Sequence, residues 1–278
     1  MNFKWATDIH LNLFPHVRPL GDEWRSDQPL LISGDISSYH LLEDQLLDLK
    51  AGYWGPIYYV LGNHDYYNAS WARTDKKMAK LRRGLVNLDT VSLVELGEYA
   101  LVGQSGWYGG VGGELSHFYL NDFRAIEELA CAGHREEMLD RIKARAESQA
   151  HKLWAKVEAA IESGHREIVV MTHVPPFVNA AWHEGRISDA NALPWFSSPV
   201  MGVGLLALAE RHDVRLLILC GHTHSPGECW VSENVRCITG KAVYRDPQLV
   251  GNFDLNAMFE GIEAGERLTA FPQSRGPG

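Results

Sequence analysis

The sequence predicts an α/β fold in which strands alternate with helices. Two observations carry this expectation. Short β-branched or aliphatic runs recur along the chain, and each stops at a polar, often glycine-marked turn. Between them lie longer stretches with apolar residues at helical spacing. Strands and helices that alternate in this way bury their apolar faces by stacking in layers. With 278 residues, 45% of them hydrophobic, the chain is long enough to bury a substantial core as one large domain.

Five runs are read as buried strands, each leading into a polar turn. Phe3–Thr7 leads into Asp8-Ile9-His10, and Pro29–Ser33 into Gly34-Asp35. Ile57–Leu61 leads into Gly62-Asn63-His64-Asp65, and Ile168–Thr172 into His173. Leu216–Cys220 leads into Gly221-His222-Thr223-His224. Helices are expected over Leu41–Leu49, Ser70–Leu81, Glu137–Ser163 and Val200–Arg211. In the middle, Leu85–Leu96 and Tyr99–Val102 read as strands in quick succession, and Ser105–Glu114 as a glycine- and aromatic-rich loop. Residues from about 116 to 164 are mostly helical and carry no strand-end motif. They are expected as a helical insertion or cap on a single domain spanning 1–278. The tail Pro272–Gly278 is expected to be short and flexible.

The formal net charge is -9 and no Lys/Arg-rich run occurs. Binding along a nucleic-acid backbone is therefore not expected. No apolar stretch of about 18 residues is present, so no membrane-spanning helix is expected. The N-terminus lacks a signal-peptide pattern. Cys131, Cys220, Cys229 and Cys237 form no Cys-x-x-Cys pair. They read as reduced thiols of a cytoplasmic protein, although Cys229 and Cys237 could face each other across a hairpin.

The five strand ends supply Asp8, His10, Asp35, Asn63, His64, His173, His222 and His224. Side chains at the carboxyl ends of neighbouring strands in an open α/β sheet converge on one crevice. A lone histidine after a strand is ordinarily a packed residue, but five such ends in series are not explained that way. Imidazole nitrogens mixed with carboxylate and amide oxygens suit Mn, Fe, Zn, Co or Ni better than Ca or Mg. Seven donors, leaving out His64, match two divalent or trivalent ions with four protein ligands each if one carboxylate bridges. Asp35, presented by the tight Gly34 turn, is the natural bridge. Two divalent ions, two aspartates and a bridging hydroxide leave the site weakly positive, as a phosphate anion requires. Such a pair lowers the pKa of a shared water and clamps phosphoryl oxygens.

The series Asp8-Ile9-His10, Gly34-Asp35, Gly62-Asn63-His64-Asp65, His173 and Gly221-His222-Thr223-His224 resembles the signature of calcineurin-like metallophosphoesterases. The resemblance implies a four-layer α/β/β/α sandwich with the dimetal site at its edge. It implies that Asp8, His10, Asp35 and His224 hold one ion, and that Asp35, Asn63, His173 and His222 hold the other. His64 would face the substrate, as the group that steadies the phosphate or protonates the leaving oxygen. The nucleophile would be the metal-bridging hydroxide. Leu101–Ile126, with Leu120-Asn121-Asp122-Phe123, is similar to a bacterial subgroup of the superfamily. Ile36-Ser37-Ser38 follows Asp35, where serine/threonine phosphatases continue Asp-Arg-Gly. The usual carboxylate partner of His64 is thereby missing, and Asp65 is left a structural role.

The expected activity is metal-dependent hydrolysis of a small-molecule phosphate ester, nucleotides included, as a monoesterase or a diesterase. A non-catalytic scaffold on the same fold is the alternative, although such a scaffold would be expected to lose ligands or His64. Tyr66, Tyr67, Trp107, Asn121, Arg124, Trp182, His183 and Arg186 are candidates to reach the substrate, each weighed against ordinary packing.

Overall fold

The computed structural model describes residues 1–14, 21–109 and 119–264. Its first half is built from β1 (Asn2–Ala6), β2 (Leu30–Ser33), α1 (Tyr39–Gly52), β3 (Ile57–Val60), α2 (Trp71–Met78) and β4 (Leu85–Asn87). Next come β5 (Val94–Leu96), β6 (Tyr99–Gly103), the short α3 (Asp122–Ala125) and α4 (Glu127–Ala130), the long α5 (Arg135–Glu162) and β7 (Glu167–Met171). A small hairpin, β8 (Trp182–His183) and β9 (Arg186–Ile187), precedes α6 (Leu193–Phe196), α7 (Pro199–His212) and β10 (Arg215–Cys220). The described chain closes with β11 (Gly227–Ser232), β12 (Val235–Thr239), β13 (Leu249–Asp254) and α8 (Leu255–Ala264).

The strands form two main sheets. The first has the order β13-β1-β2-β3-β4; its last four members are parallel and β13 is an antiparallel edge. The second has the order β11-β12-β10-β7-β6-β5. Its four central strands are parallel, with an antiparallel strand on each edge.

Alternation along the strands sorts the core into three slabs. Phe3, Trp5, Leu31, Val60, Val169, Met171, Leu217 and Leu219 are buried between the sheets. Leu30, Ile32, Ile57 and Tyr59 face outward from the first sheet and meet Leu42, Leu46 and Leu49 of α1 and Met78 of α2. On the far side, Ile168, Val170, Leu216 and Ile218 meet Leu153 and Val157 of α5 and Leu205 and Ala209 of α7. Helix, sheet, sheet and helix make the expected four-layer α/β/β/α sandwich.

The expected helices over Leu41–Leu49, Ser70–Leu81, Glu137–Ser163 and Val200–Arg211 correspond to α1, α2, α5 and α7. Within the stretch expected as an insertion, 116–118 lie outside the described residues and the rest holds α3, α4 and α5. Because β6 and β7 are parallel neighbours, a crossover must join them. The second half of α5 serves as that crossover and belongs to the outer layer. Its first half, through Met138, Ile142 and Ala146, joins the core over the first sheet. The tail Pro272–Gly278 and the second half of the Ser105–Glu114 loop, residues 110–114, lie outside the described residues.

Candidate metal centre

Backbone pairing continues past the strands and levels their ends. Asp8 N–H donates to the Gly34 carbonyl at 3.0 Å, His10 N–H to the Asp35 carbonyl at 3.0 Å, and Gly221 N–H to the His173 carbonyl at 2.9 Å. Tight turns at these ends set Asp8, His10, Asp35, His222 and His224 in the left-handed region, with φ between 43° and 72°. The motif glycines make room for the donors. A Cβ on Gly62 would collide with the Asp35 carboxylate, and one on Gly221 with the carboxylate of Asp8 and the hydroxyl of Thr7. Buried Asp65 joins two of the turns. Its carboxylate accepts from Gly62 N–H at 2.8 Å, Ile36 N–H at 2.9 Å and Ser37 N–H at 2.7 Å.

The seven predicted donors fall into two touching groups that share Asp35. In the first, donor atoms of Asp8, His10, Asp35 and His224 all lie within 4.8 Å of one another. His10 Nε2 is 3.2 Å from His224 Nε2, and His224 Nε2 is 3.4 Å from Asp8 Oδ1. In the second, Asn63 Oδ1 is 3.1 Å from His173 Nε2 and 3.0 Å from His222 Nδ1. His173 Nε2 is in turn 3.3 Å from Asp35 Oδ1. Ring nitrogens gathered with carboxylate and amide oxygens in this way make a borderline ligand set for a cation.

The far side of each group is tied down. His173 Nδ1 donates to the Ser33 carbonyl at 2.8 Å, which leaves Nε2 facing the cluster. His222 Nε2 donates to the Trp195 carbonyl at 2.9 Å, which turns Nδ1 inward. Asn63 Nδ2 donates to Asp122 Oδ1 at 3.0 Å, fixing the amide with its oxygen toward the imidazoles. Asp122 also accepts from Tyr67 OH at 2.6 Å and Tyr108 OH at 2.8 Å. Burial, reinforced by the Asp122 charge, raises both phenols and keeps them protonated donors.

Without ions, neighbouring charge divides the imidazoles. Burial pushes His10 down to about 4, and burial with the His173 charge beside it pushes His222 down to about 4. Burial also opposes the charge on His173, but Asp35 beside it raises that imidazole to about 10. His224 is raised by Asp8 against the same opposition. Burial alone would raise Asp35 and Asp8; His173 and His64 instead hold the first well below the usual carboxylate range, and His224 holds the second low.

His64 stands at the rim, its side chain 21% exposed and its Nε2 3.8 Å from Asp35 Oδ2. Its ring stacks on Tyr67, with centroids 4.3 Å apart. Both face a cavity of about 440 Å³ whose walls include Leu120, Phe196 and Tyr244 as well as Asn63, His222 and His224. Among the other candidates, Asn121 and His183 line this cavity, whereas Trp107 and Trp182 are buried in packing. Tyr66 is also buried, Arg124 pairs with the Asn121 side chain, and Arg186 lines a neighbouring cavity. Sequence reasoning did not single out Tyr244, whose ring lies 4.7 Å from that of His10 and 4.5 Å from that of His224. Nor did it give Asp122 a role. No strand end announces either residue; only the motif containing Asp122 stood out.

The sequence profile described as calcineurin-like phosphoesterase matches residues 1–226. Among solved structures, the chain is similar to a phosphopantetheinyl hydrolase from Mycobacterium tuberculosis, with TM-score 0.57 at 14% identity over 87% of this chain and 89% of that one. It is also similar to a dimetal phosphatase from Danio rerio, with TM-score 0.51 at 19% identity over 89% of each chain. At these identities the two likenesses speak to the fold. Among curated proteins, none matches the chain.

Proposed function

We propose that this chain, which belongs to the calcineurin-like phosphoesterase family, is a hydrolase that works with two ions on the phosphate ester of a small organic molecule. One observation carries the reading: two touching groups of donors share the Asp35 carboxylate. In the first group, Asp8, His10, Asp35 and His224 would hold one ion. Asp35, Asn63, His173 and His222 would hold the other. Mn, Fe, Zn, Co and Ni all fit this nitrogen and oxygen set. When bound, such ions lower the pKa of a water and neutralise phosphoryl oxygens.

The chain's own residues supply the rest. Asp35 holds the two groups together. His64, at the rim of the cavity, donates a hydrogen bond to a phosphoryl oxygen or a proton to the leaving oxygen. Tyr67 keeps its ring in place by stacking. Leu120, Phe196 and Tyr244 offer apolar faces to the organic part of the ester, in a cavity of small-molecule size. Among the described residues, no lysine or arginine lines it, which disfavours a polymeric nucleic acid tracked by its backbone. Because the donors come from the ends of both sheets, the described chain acts as one domain. The four cysteines are free thiols, in keeping with a cytoplasmic location, and no described helix is long and apolar enough to cross a membrane.

The test is a screen of metal-reconstituted protein against a chromogenic phosphomonoester, the matching diester and cyclic nucleotides. Turnover of at least one is expected. For His64→Ala, kcat on an ester with a poor leaving group should fall by about 10²–10⁴-fold, with metal content retained. A loaded protein that turns over none of them would favour the scaffold alternative.

A further inference from the structure

We infer that Asp122 is the positioning residue that aims the Asn63 amide at the second ion and, through Tyr67, holds the His64 ring. The inference rests on the two-ion reading above.

Asp122 is buried, with 1% exposure. Its carboxylate touches none of the seven donors except through the Asn63 amide. Oδ1 accepts both Asn63 Nδ2 at 3.0 Å and Tyr67 OH at 2.6 Å, while Oδ2 accepts Tyr108 OH at 2.8 Å. An amide presents a donor end and an acceptor end, and a carboxylate can only accept. Asp122 therefore selects one of the two amide orientations, the one with Asn63 Oδ1 between His173 Nε2 and His222 Nδ1. The flipped amide would aim N–H groups at the ion and an oxygen at a carboxylate. Tyr67, held by the same oxygen, stacks on His64 at 4.3 Å and 25°. Tyr108 stands parallel to the His222 ring, at 6.1 Å and 20°.

The backbone explains how a residue so far along the chain reaches this place. Asn68 N–H donates to the Ala125 carbonyl at 2.7 Å, and Glu127 N–H donates to the Ala69 carbonyl at 3.1 Å. Ala69 and Ile126 form a parallel bridge. The segment holding Asp122 is thus laced to the chain that leaves the His64 turn. The motif Leu120-Asn121-Asp122-Phe123 acquires a physical role as this brace.

The experiment is metal titration of the full chain by calorimetry, with metal content counted after gel filtration. Wild type is expected to bind two ions. Asp122→Asn should weaken the second ion by about 10–100-fold and leave the first near wild type, because Asp8, His10 and His224 make no bond to Asp122. The double variant Asn63→Asp with Asp122→Asn reverses the roles, since the new amide at position 122 can donate to the new carboxylate at position 63. It should recover most of the lost affinity, whereas Asn63→Asp alone sets two buried carboxylates together and should not. Tyr67→Phe should keep both ions and KM but lower kcat by about 10-fold or more. A merely structural Asp122 would lower the melting temperature without a selective loss of one ion and without recovery in the double variant. Either that pattern or two equally tight ions in Asp122→Asn would overturn the inference. Should Asp122→Asn not fold, recovery in the double variant decides. A wild type that fails to bind two ions would instead defeat the two-ion reading itself.

Discussion

Five of the seven proposed ligands sit in left-handed backbone, with φ of 50°, 43°, 52°, 72° and 61° at Asp8, His10, Asp35, His222 and His224. Each costs about 1–2 kcal/mol relative to ordinary backbone, and such outliers gather where a site needs them. The turns point short polar side chains inward, and the motif glycines let neighbouring turns approach. For Gly62→Ala, whose Cβ would meet the Asp35 carboxylate, metal affinity should fall by about 10-fold or more. Circular dichroism should stay close to wild type. His173 gives a prediction in pH. Its metal-free value is raised to about 10, so the imidazolium's stabilising contact with Asp35 is fully present below about 6.5. That contribution is lost as pH rises through about 10. Loading ions at pH 8 must displace this proton. Calorimetry in buffers of different ionisation enthalpy should find at least one proton released, and fewer in His173→Gln. The seven donors and His64 were legible because each closes an apolar strand. Asp122 and Tyr244 were not, since both reach the site from segments whose placement depends on tertiary contacts.

Elements decide which of those segments arrive. Helical spacing identified α5, but an apolar stripe does not say what it packs on; the parallel pairing of β6 and β7 does. Strand β13 was invisible for a related reason. Its residues are half-buried or exposed along its length, so neither alternation nor an apolar run marks it, and it is defined by antiparallel pairing with β1. The following helix α8 is anchored by an ion pair at the sheet edge. Arg236, 1% exposed, donates to Glu228 Oε1 at 2.7 Å and to the Met258 carbonyl at 3.0 Å. Leaving this guanidinium without its carboxylate should be expensive. Glu228→Gln is expected to destabilise the fold by about 3–5 kcal/mol, read as a lower urea midpoint. Metal content in the absence of denaturant should be unchanged, because the pair makes no contact with the donor cluster.

Over the whole molecule, two sheets bring their strand ends to one edge of a four-layer sandwich. Asp8, Asp35 and Asn63 come from the first sheet, and His173, His222 and His224 from the second. Neither sheet alone holds a full set of donors for either ion. With a formal charge of -9 and no lysine or arginine among the described residues lining the cavity, bound ions would be the main attraction for a phosphate anion. The layered α/β class could be read from alternating runs of sequence. The facing of the two sheets, and so the meeting of donors more than two hundred residues apart, is set by the inter-sheet core. The most direct measurement is a crystal structure of metal-soaked protein with anomalous scattering collected at the metal's absorption edge. Two peaks about 3.5–4 Å apart, flanking the Asp35 carboxylate, are the expected result. One peak alone, or none among these seven side chains, would contradict the account.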